Sequence, residues 1–205
     1  MRLFSLDIEA TKIAELTHLN RNTINRILKH LRQIIAEHCQ QQAQLSGIIE
    51  ADESFFGAKR VKGKRGRGAY GKTIVFGLYK RQGNVYTEIV SDCARGTLQD
   101  VIRGRVSIES VINTDGWRGY NGLVDLGYEK HLRVDHHRNE FVKGHAHING
   151  IEGFWGYAKS RLARFRGIHK STFYFHLKEC EFRFNNRNKN IYKTTLSLCK
   201  KSALF

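Results

Sequence analysis

The sequence predicts an α/β protein: a mixed sheet of about five strands flanked by helices and preceded by a small helical region. Three observations carry this. Apolar residues recur at steps of three and four between residues 5 and 38, short β-like runs begin at residue 46, and two long helical patterns come near the end.

In the first region Ile13, Leu16, Leu19, Ile24, Ile27, Leu28, Leu31, Ile34 and Ile35 mark the apolar stripe. Ala14 to Thr17 closes one helix, His18 to Asn20 makes a turn, and Arg21 to Leu28 opens a second helix. Its polar side carries Arg21, Asn22 and Asn25, side chains that reach phosphates and base edges. The pattern fits a helix-turn-helix and, equally, an ordinary helical hairpin; His18 stands where glycine is common. Strands are predicted at 48–56, 73–79, 85–90 and 110–114, with a short helix at 96–106. A second short helix at 120–126, a fifth strand at 130–134 and helices at 150–165 and 171–186 follow. The expected organisation is a helical DNA-binding region over 1–45, an α/β domain over 46–190 and a basic tail over 191–205.

Charge narrows the partners. The chain has 205 residues, with 35 Lys and Arg against 19 Asp and Glu, a net +16 that calls for a polyanion. A hydrophobic content of 40% is too high for a disordered basic tail. No stretch approaches the ~20 apolar residues of a membrane span, and Asp7 comes too early for a signal peptide, so a cytoplasmic location is expected. Cys39, Cys93, Cys180 and Cys199 form no Cys-x-x-Cys pair and read as reduced thiols. Proline is absent, leaving turns to Gly, Asn, Asp and Ser.

The basic run Lys59 to Gly68 lies in a segment with no acid between Glu53 and Glu88. Lys62, Lys64, Arg65 and Arg67 there are read as a phosphate-binding loop, the alternative being a solvated charge run.

Acids are depleted in strands, so Asp52 and Asp115 require an explanation. Period two places Glu50, Asp52 and Ser54 on one face, and Asp115 closes the fourth strand. A polar edge or a salt bridge would explain either acid alone. Glu152 begins the helix 150–165, where Asn149 and Glu152 also fit a reciprocal capping arrangement. Ile151, Trp155, Ala158 and Leu162 form the stripe that packs this helix on the sheet. Lys159 follows Glu152 by nearly two turns on the same face, so a carboxylate and an amine could hold a metal ion and a phosphate.

Three blocks, Glu50 to Gly57, Asn113 to Tyr120 and His147 to Lys159, together resemble bacterial insertion-sequence transposases of the DDE superfamily. The similar branch has a third block reading His-x-Asn-x-x-Glu-x-x-Trp-x-x-x-Lys, and the resemblance runs from about residue 8 to residue 188. It implies an RNase H-like core with Asp52 on the central first strand, Asp115 beside it, and a third ligand on the following helix. Some relatives use the Asn in place of the third acid, so Asn149 and Glu152 compete; Glu152 is preferred because a carboxylate binds Mg²⁺ better than an amide. Many relatives carry a zinc ribbon ahead of the helix-turn-helix; none is evident here, so end recognition is expected near residues 11 to 31.

The implied chemistry is strand cleavage and strand transfer. Two Mg²⁺ ions about 3.5–4 Å apart, or Mn²⁺ in their place, would activate the attacking hydroxyl and stabilise the leaving oxygen. Asp52, Asp115 and Glu152 are the expected ligands and Lys159 the phosphate contact. The partners are double-stranded DNA at element ends and target, and at least one further copy of the chain. Two other readings remain: a helix-turn-helix regulator that no longer cuts, and an RNase H-like nuclease acting on hybrids, which would have little use for a major-groove helix. His131, His136, His137, His145 and His147 are dense enough to raise a zinc site, though no cysteine partners them.

Overall fold

A computed structural model describes residues 1–57, 71–115, 120, 123, 127–128, 130–134, 147–165 and 167–202. The basic run containing Lys62, Lys64, Arg65 and Arg67, most of the helix expected at 120–126, and His136, His137 and His145 lie outside the described residues. The elements are α1 (Arg2–Ser5), α2 (Ala10–Thr17), α3 (Arg21–Gln40), β1 (Ile48–Phe56), β2 (Thr73–Lys80) and β3 (Val85–Val90). They continue with α4 (Arg95–Arg105), β4 (Val111–Asp115), β5 (Lys130–Val134), α5 (Asn149–Ala163), α6 (Lys170–Asn185) and α7 (Ile191–Lys201). The chain divides into two compact units, residues 1–42 with 165–205, and residues 43–164.

The first unit is helical. His18 takes a left-handed φ of 54° and ends α2, and the Asn20 side chain accepts from the Asn22 N–H at 2.8 Å to start α3. The three-residue turn lies where the sequence put it. Ile13, Ile24, Leu28, Leu31, Ile34, Ile35 and Cys39 are buried together with Phe4, Phe182 and Cys199. Leu16, Leu19 and Ile27, expected in the same stripe, are exposed instead. Ile27 falls at the edge of the line through Ile24, Leu28, Leu31 and Ile35, while Leu16 and Leu19 flank the turn.

α3 packs against α6 and α7. Glu179 of α6, almost fully buried, accepts from Arg32 Nε at 2.7 Å and Arg183 Nε at 2.8 Å, and Arg183 also donates to the Phe4 and Ser5 carbonyls. Lys178 and Glu181, also buried, pair at 2.9 Å. Such pairs satisfy charges that would be costly alone. Both α6 and α7 therefore belong to the helical unit rather than to the sheet. The segment read as a basic tail contains α7, which the sequence reading missed. The Asn190 side chain caps it by accepting from Lys193 N–H at 3.0 Å, and Thr195 and Cys199 bury its inner face. Lys200 and Lys201 fall in its last turn, where they suit the helix dipole.

The second unit is built on a five-stranded mixed sheet in the order β3-β2-β1-β4-β5. β1 pairs antiparallel with β2, and β2 with β3; β1 pairs parallel with β4, and β4 with β5. The strands fall at the predicted positions, and the RNase H-like expectation of a central first strand beside the fourth holds. Odd residues of β1, Ile49 and Ala51, pack with Phe76, Leu78, Ile112 and the α4 residues Leu98 and Ile102 into one core. Even residues face α5. Gly77, registered opposite Asp52, lets α5 approach: a Cβ there would lie 2.5 Å from the Trp155 ring and 2.8 Å from Ile151. Ile151, Trp155, Ala158 and Leu162 are all buried, as their spacing predicts.

Candidate active site

The site is organised by one face of β1. Glu50, Asp52 and Phe56 alternate along it, and each meets α5 or its start. The Glu50 carboxylate accepts from the N–H groups of Gly150 (2.8 Å) and Ile151 (3.1 Å). Asp52 Oδ2 accepts from Trp155 Nε1 at 3.1 Å. The Phe56 ring meets Trp155 edge-on at 6.0 Å, and Lys159 Nζ stands 5.8 Å from the Phe56 centroid.

Asp52 and Asp115 come together across the parallel β1/β4 pair. Ala51 is registered on Thr114, and the two aspartates are the next residues on each strand, which run ~4.8 Å apart. Burial is the main reason the Asp52 carboxyl is pushed up to about 7, with the charges of Glu53 and Asp115 adding to it and the Trp155 N–H opposing it. Glu53, on the opposite face, accepts from the hydroxyl of the fully buried Tyr120 at 2.5 Å. Burial and the neighbouring Glu53, Asp52 and Asp115 push the Tyr120 hydroxyl well above its usual range, so it stays a neutral donor.

The third expected ligand lies on α5. Among the described residues no three acid, histidine or cysteine side chains gather tightly enough to hold an ion. Glu152 and Asn149 are both exposed on the first turn of α5. At about 100° per residue, Glu152 lies about 60° round the helix from Trp155, Lys159 about 40°, and Asn149 about 120°. Glu152 and Lys159 thus border the residue that holds Asp52, and Asn149 stands farther round. The hard oxygens of Asp52 and Asp115 suit Mg²⁺ or Mn²⁺.

The capping arrangement read for Asn149 and Glu152 is not the one present. Ile148 is the N-cap with no side-chain cap bond, Asn149 is the first helical residue, and the cap comes from Glu50 in the sheet. Sequence reasoning placed Glu50 on the correct face but gave it no role, and it passed over Arg81 and the indole N–H of Trp155. The signal available for Glu50 was an acid two residues from Asp52 inside an apolar strand.

Of the histidines, His131 Nε2 lies 2.9 Å from Thr114 Oγ1 and His147 Nδ1 lies 3.3 Å from Glu50. Arg21, Asn22 and Asn25 are exposed on the first turns of α3, in the unit that does not contain the carboxylates.

The chain belongs to the family of ISXO2-like transposase domains, whose model matches residues 44–185. It is 40% identical over 116 residues to an uncharacterized transposase-like protein of Haemophilus influenzae, covering 57% of this chain and 90% of that protein. It is 26% identical over 202 residues to an uncharacterized protein in transposable element ISH50 of Halobacterium salinarum, covering 89% and 67%. Similar solved structures include the catalytic domain of Mos1 mariner transposase, with 14% identity, a TM-score of 0.32 and coverage of 88% of this chain and 95% of that one. A simian T-cell lymphotropic virus intasome in complex with the PP2A regulatory subunit B56 gamma is similar at 12% identity and a TM-score of 0.44, over 91% and 74%. Among the described residues no helix is long and apolar enough to cross a membrane.

Proposed function

We propose that this protein binds the ends of an insertion sequence and catalyses Mg²⁺-dependent cleavage and strand transfer of DNA. The observation that carries the reading is the placement of Asp52 and Asp115 side by side on β1 and β4 of a transposase-family domain, with α5 held against Asp52 by Trp155. Asp52, Asp115 and Glu152 would hold the cations, which when bound activate the attacking hydroxyl and stabilise the leaving oxygen. The remaining roles fall to the chain itself. The Trp155 N–H orients the Asp52 carboxylate, and partial burial of Asp52 limits water around it. Lys159 grips a phosphate beside the cut. Arg21, Asn22 and Asn25 read the element end, while Lys62, Lys64, Arg65 and Arg67 bind backbone without regard to sequence. Two ends must be brought together, so the active form on DNA is at least a dimer.

The test is an assay with Mg²⁺ and DNA carrying the inverted repeats that flank the gene. Asp52→Ala, Asp115→Ala and Glu152→Ala should each abolish cleavage and joining while binding stays intact or tightens slightly, because each carboxylate repels the incoming phosphate when no cation is bound. Activity that survives Glu152→Ala and is lost in Asn149→Ala reassigns the third ligand to the amide. Specific binding without cleavage by the unmodified protein identifies a transposase-derived regulator instead.

A further inference from the structure

We infer that Glu50 is a positioning residue: its buried carboxylate, clamped by Arg81, fixes the start of α5 and so sets where Glu152 stands relative to Asp52. The inference rests on the reading of Asp52, Asp115 and Glu152 as metal ligands. Glu50 is 0% exposed in the central strand of the sheet, a position where an acid persists only if its charge is met. Here it is met from two directions, by Arg81 and by the start of α5. Arg81, the residue after β2, gives Nε to Glu50 Oε1 at 3.2 Å and its Nη2 to the His147 carbonyl at 3.1 Å. His147 Nδ1 stands 3.3 Å from the same carboxylate oxygen. The other oxygen takes the N–H groups of Gly150 and Ile151, two of the donors that a helix start leaves without partners, where the positive end of the dipole also favours an anion.

This arrangement specifies a position rather than merely filling space. Ile148 offers no cap of its own, so the first turn of α5 is tied to the sheet through Glu50. Gly150 permits the approach: a Cβ there would run into the Tyr79 ring and lie 2.8 Å from Glu50 Oε2. Glu50 and Asp52 are two residues apart on the same face of a strand paired on both sides, and Glu152 directly follows Ile151. One rigid strand thus holds the first ligand and the origin of the helix that carries the third. The Trp155 bond to Asp52 fixes the helix a turn further along.

The test uses the full chain and Mn²⁺ alone as probe, titrated by electron paramagnetic resonance beside thermal unfolding, for the wild type, Asp52→Ala, Glu152→Ala, Glu50→Gln and the double variant Glu50→Gln/Glu152→Ala. Glutamine keeps an acceptor for the two N–H groups but turns a donor toward Arg81, so the domain should stay folded while the helix start loses its fixed place. Mn²⁺ affinity should fall about 10- to 100-fold in Glu50→Gln, the range for groups that orient metal ligands. Glu152→Ala should then cost much less in the Glu50→Gln background than in the wild type, because the ligand is already out of place. Arg81→Lys, which keeps the charge and loses the second donor, should move affinity in the same direction and serves if Glu50→Gln does not fold. Unchanged Mn²⁺ affinity in Glu50→Gln, or costs that simply add in the double variant, overturns the inference. If Asp52→Ala does not weaken Mn²⁺ binding, the metal assignment itself fails, a result separable from the other two.

Discussion

Replacing Asp52 by Asn should stabilise the protein, and only at neutral to alkaline pH. The folded chain holds the Asp52 proton until about 7, against the usual 3.8, because burial and the charges of Glu53 and Asp115 disfavour the anion. Between those values the folded state binds more protons than the unfolded state, so stability falls as pH rises from about 4 to about 7, and above 7 the whole cost is present. At 1.36 kcal/mol for each tenfold step the ceiling is about 4 kcal/mol, and relaxation around a carboxyl that keeps some contact with solvent lowers it to about 1–3 kcal/mol. Asparagine retains the carbonyl oxygen that accepts the Trp155 N–H, so little packing is lost. Urea unfolding followed by tryptophan fluorescence should show Asp52→Asn and wild type nearly equal near pH 4, and the variant ahead by about 1–3 kcal/mol at pH 8. Saturating Mn²⁺ should narrow the gap by raising the wild type. A difference that does not change with pH, or a variant less stable at pH 8, would refute the electrostatic account of this site.

Two further outcomes follow from the same structure. Asn22→Ala and Asn25→Ala should relax base preference by about 1–3 kcal/mol per lost bidentate contact, whereas neutralising Lys62, Lys64, Arg65 or Arg67 should flatten the dependence of affinity on salt; equal losses on specific and random DNA from both sets would contradict that division. Gly77→Ala should cost about 1–3 kcal/mol, because its methyl would displace Trp155 and Ile151, and it should lower Mn²⁺ affinity along with stability; thermal unfolding within a degree of wild type would show that α5 does not depend on this close approach.

The sequence by itself determined the order and extent of the strands, the turn after Thr17 and the stripe that packs α5. Each of these rests on local periodicity and capping that any neighbour would leave intact: Val85, Thr87, Ile89 and Val90 are β-branched whatever the strand pairs with, and Asn20 caps its own helix. It also singled out Asp52 and Asp115, since acids inside apolar strands are conspicuous at any register. The tertiary structure alone decided what those acids meet. Sequence read Trp155 as one more apolar residue, but its N–H reaches Asp52 only because Gly77, opposite on β2, leaves room for the ring. Asn149 and Glu152 matched a local capping pattern, yet Glu50, about 100 residues earlier, supplies the cap. The lysines of the last segment read as a tail, whereas its inner face of Thr195 and Cys199 made it a helix of the first unit. In each case the deciding partner is distant in the chain, and no period of two or 3.6 residues encodes a contact at that separation.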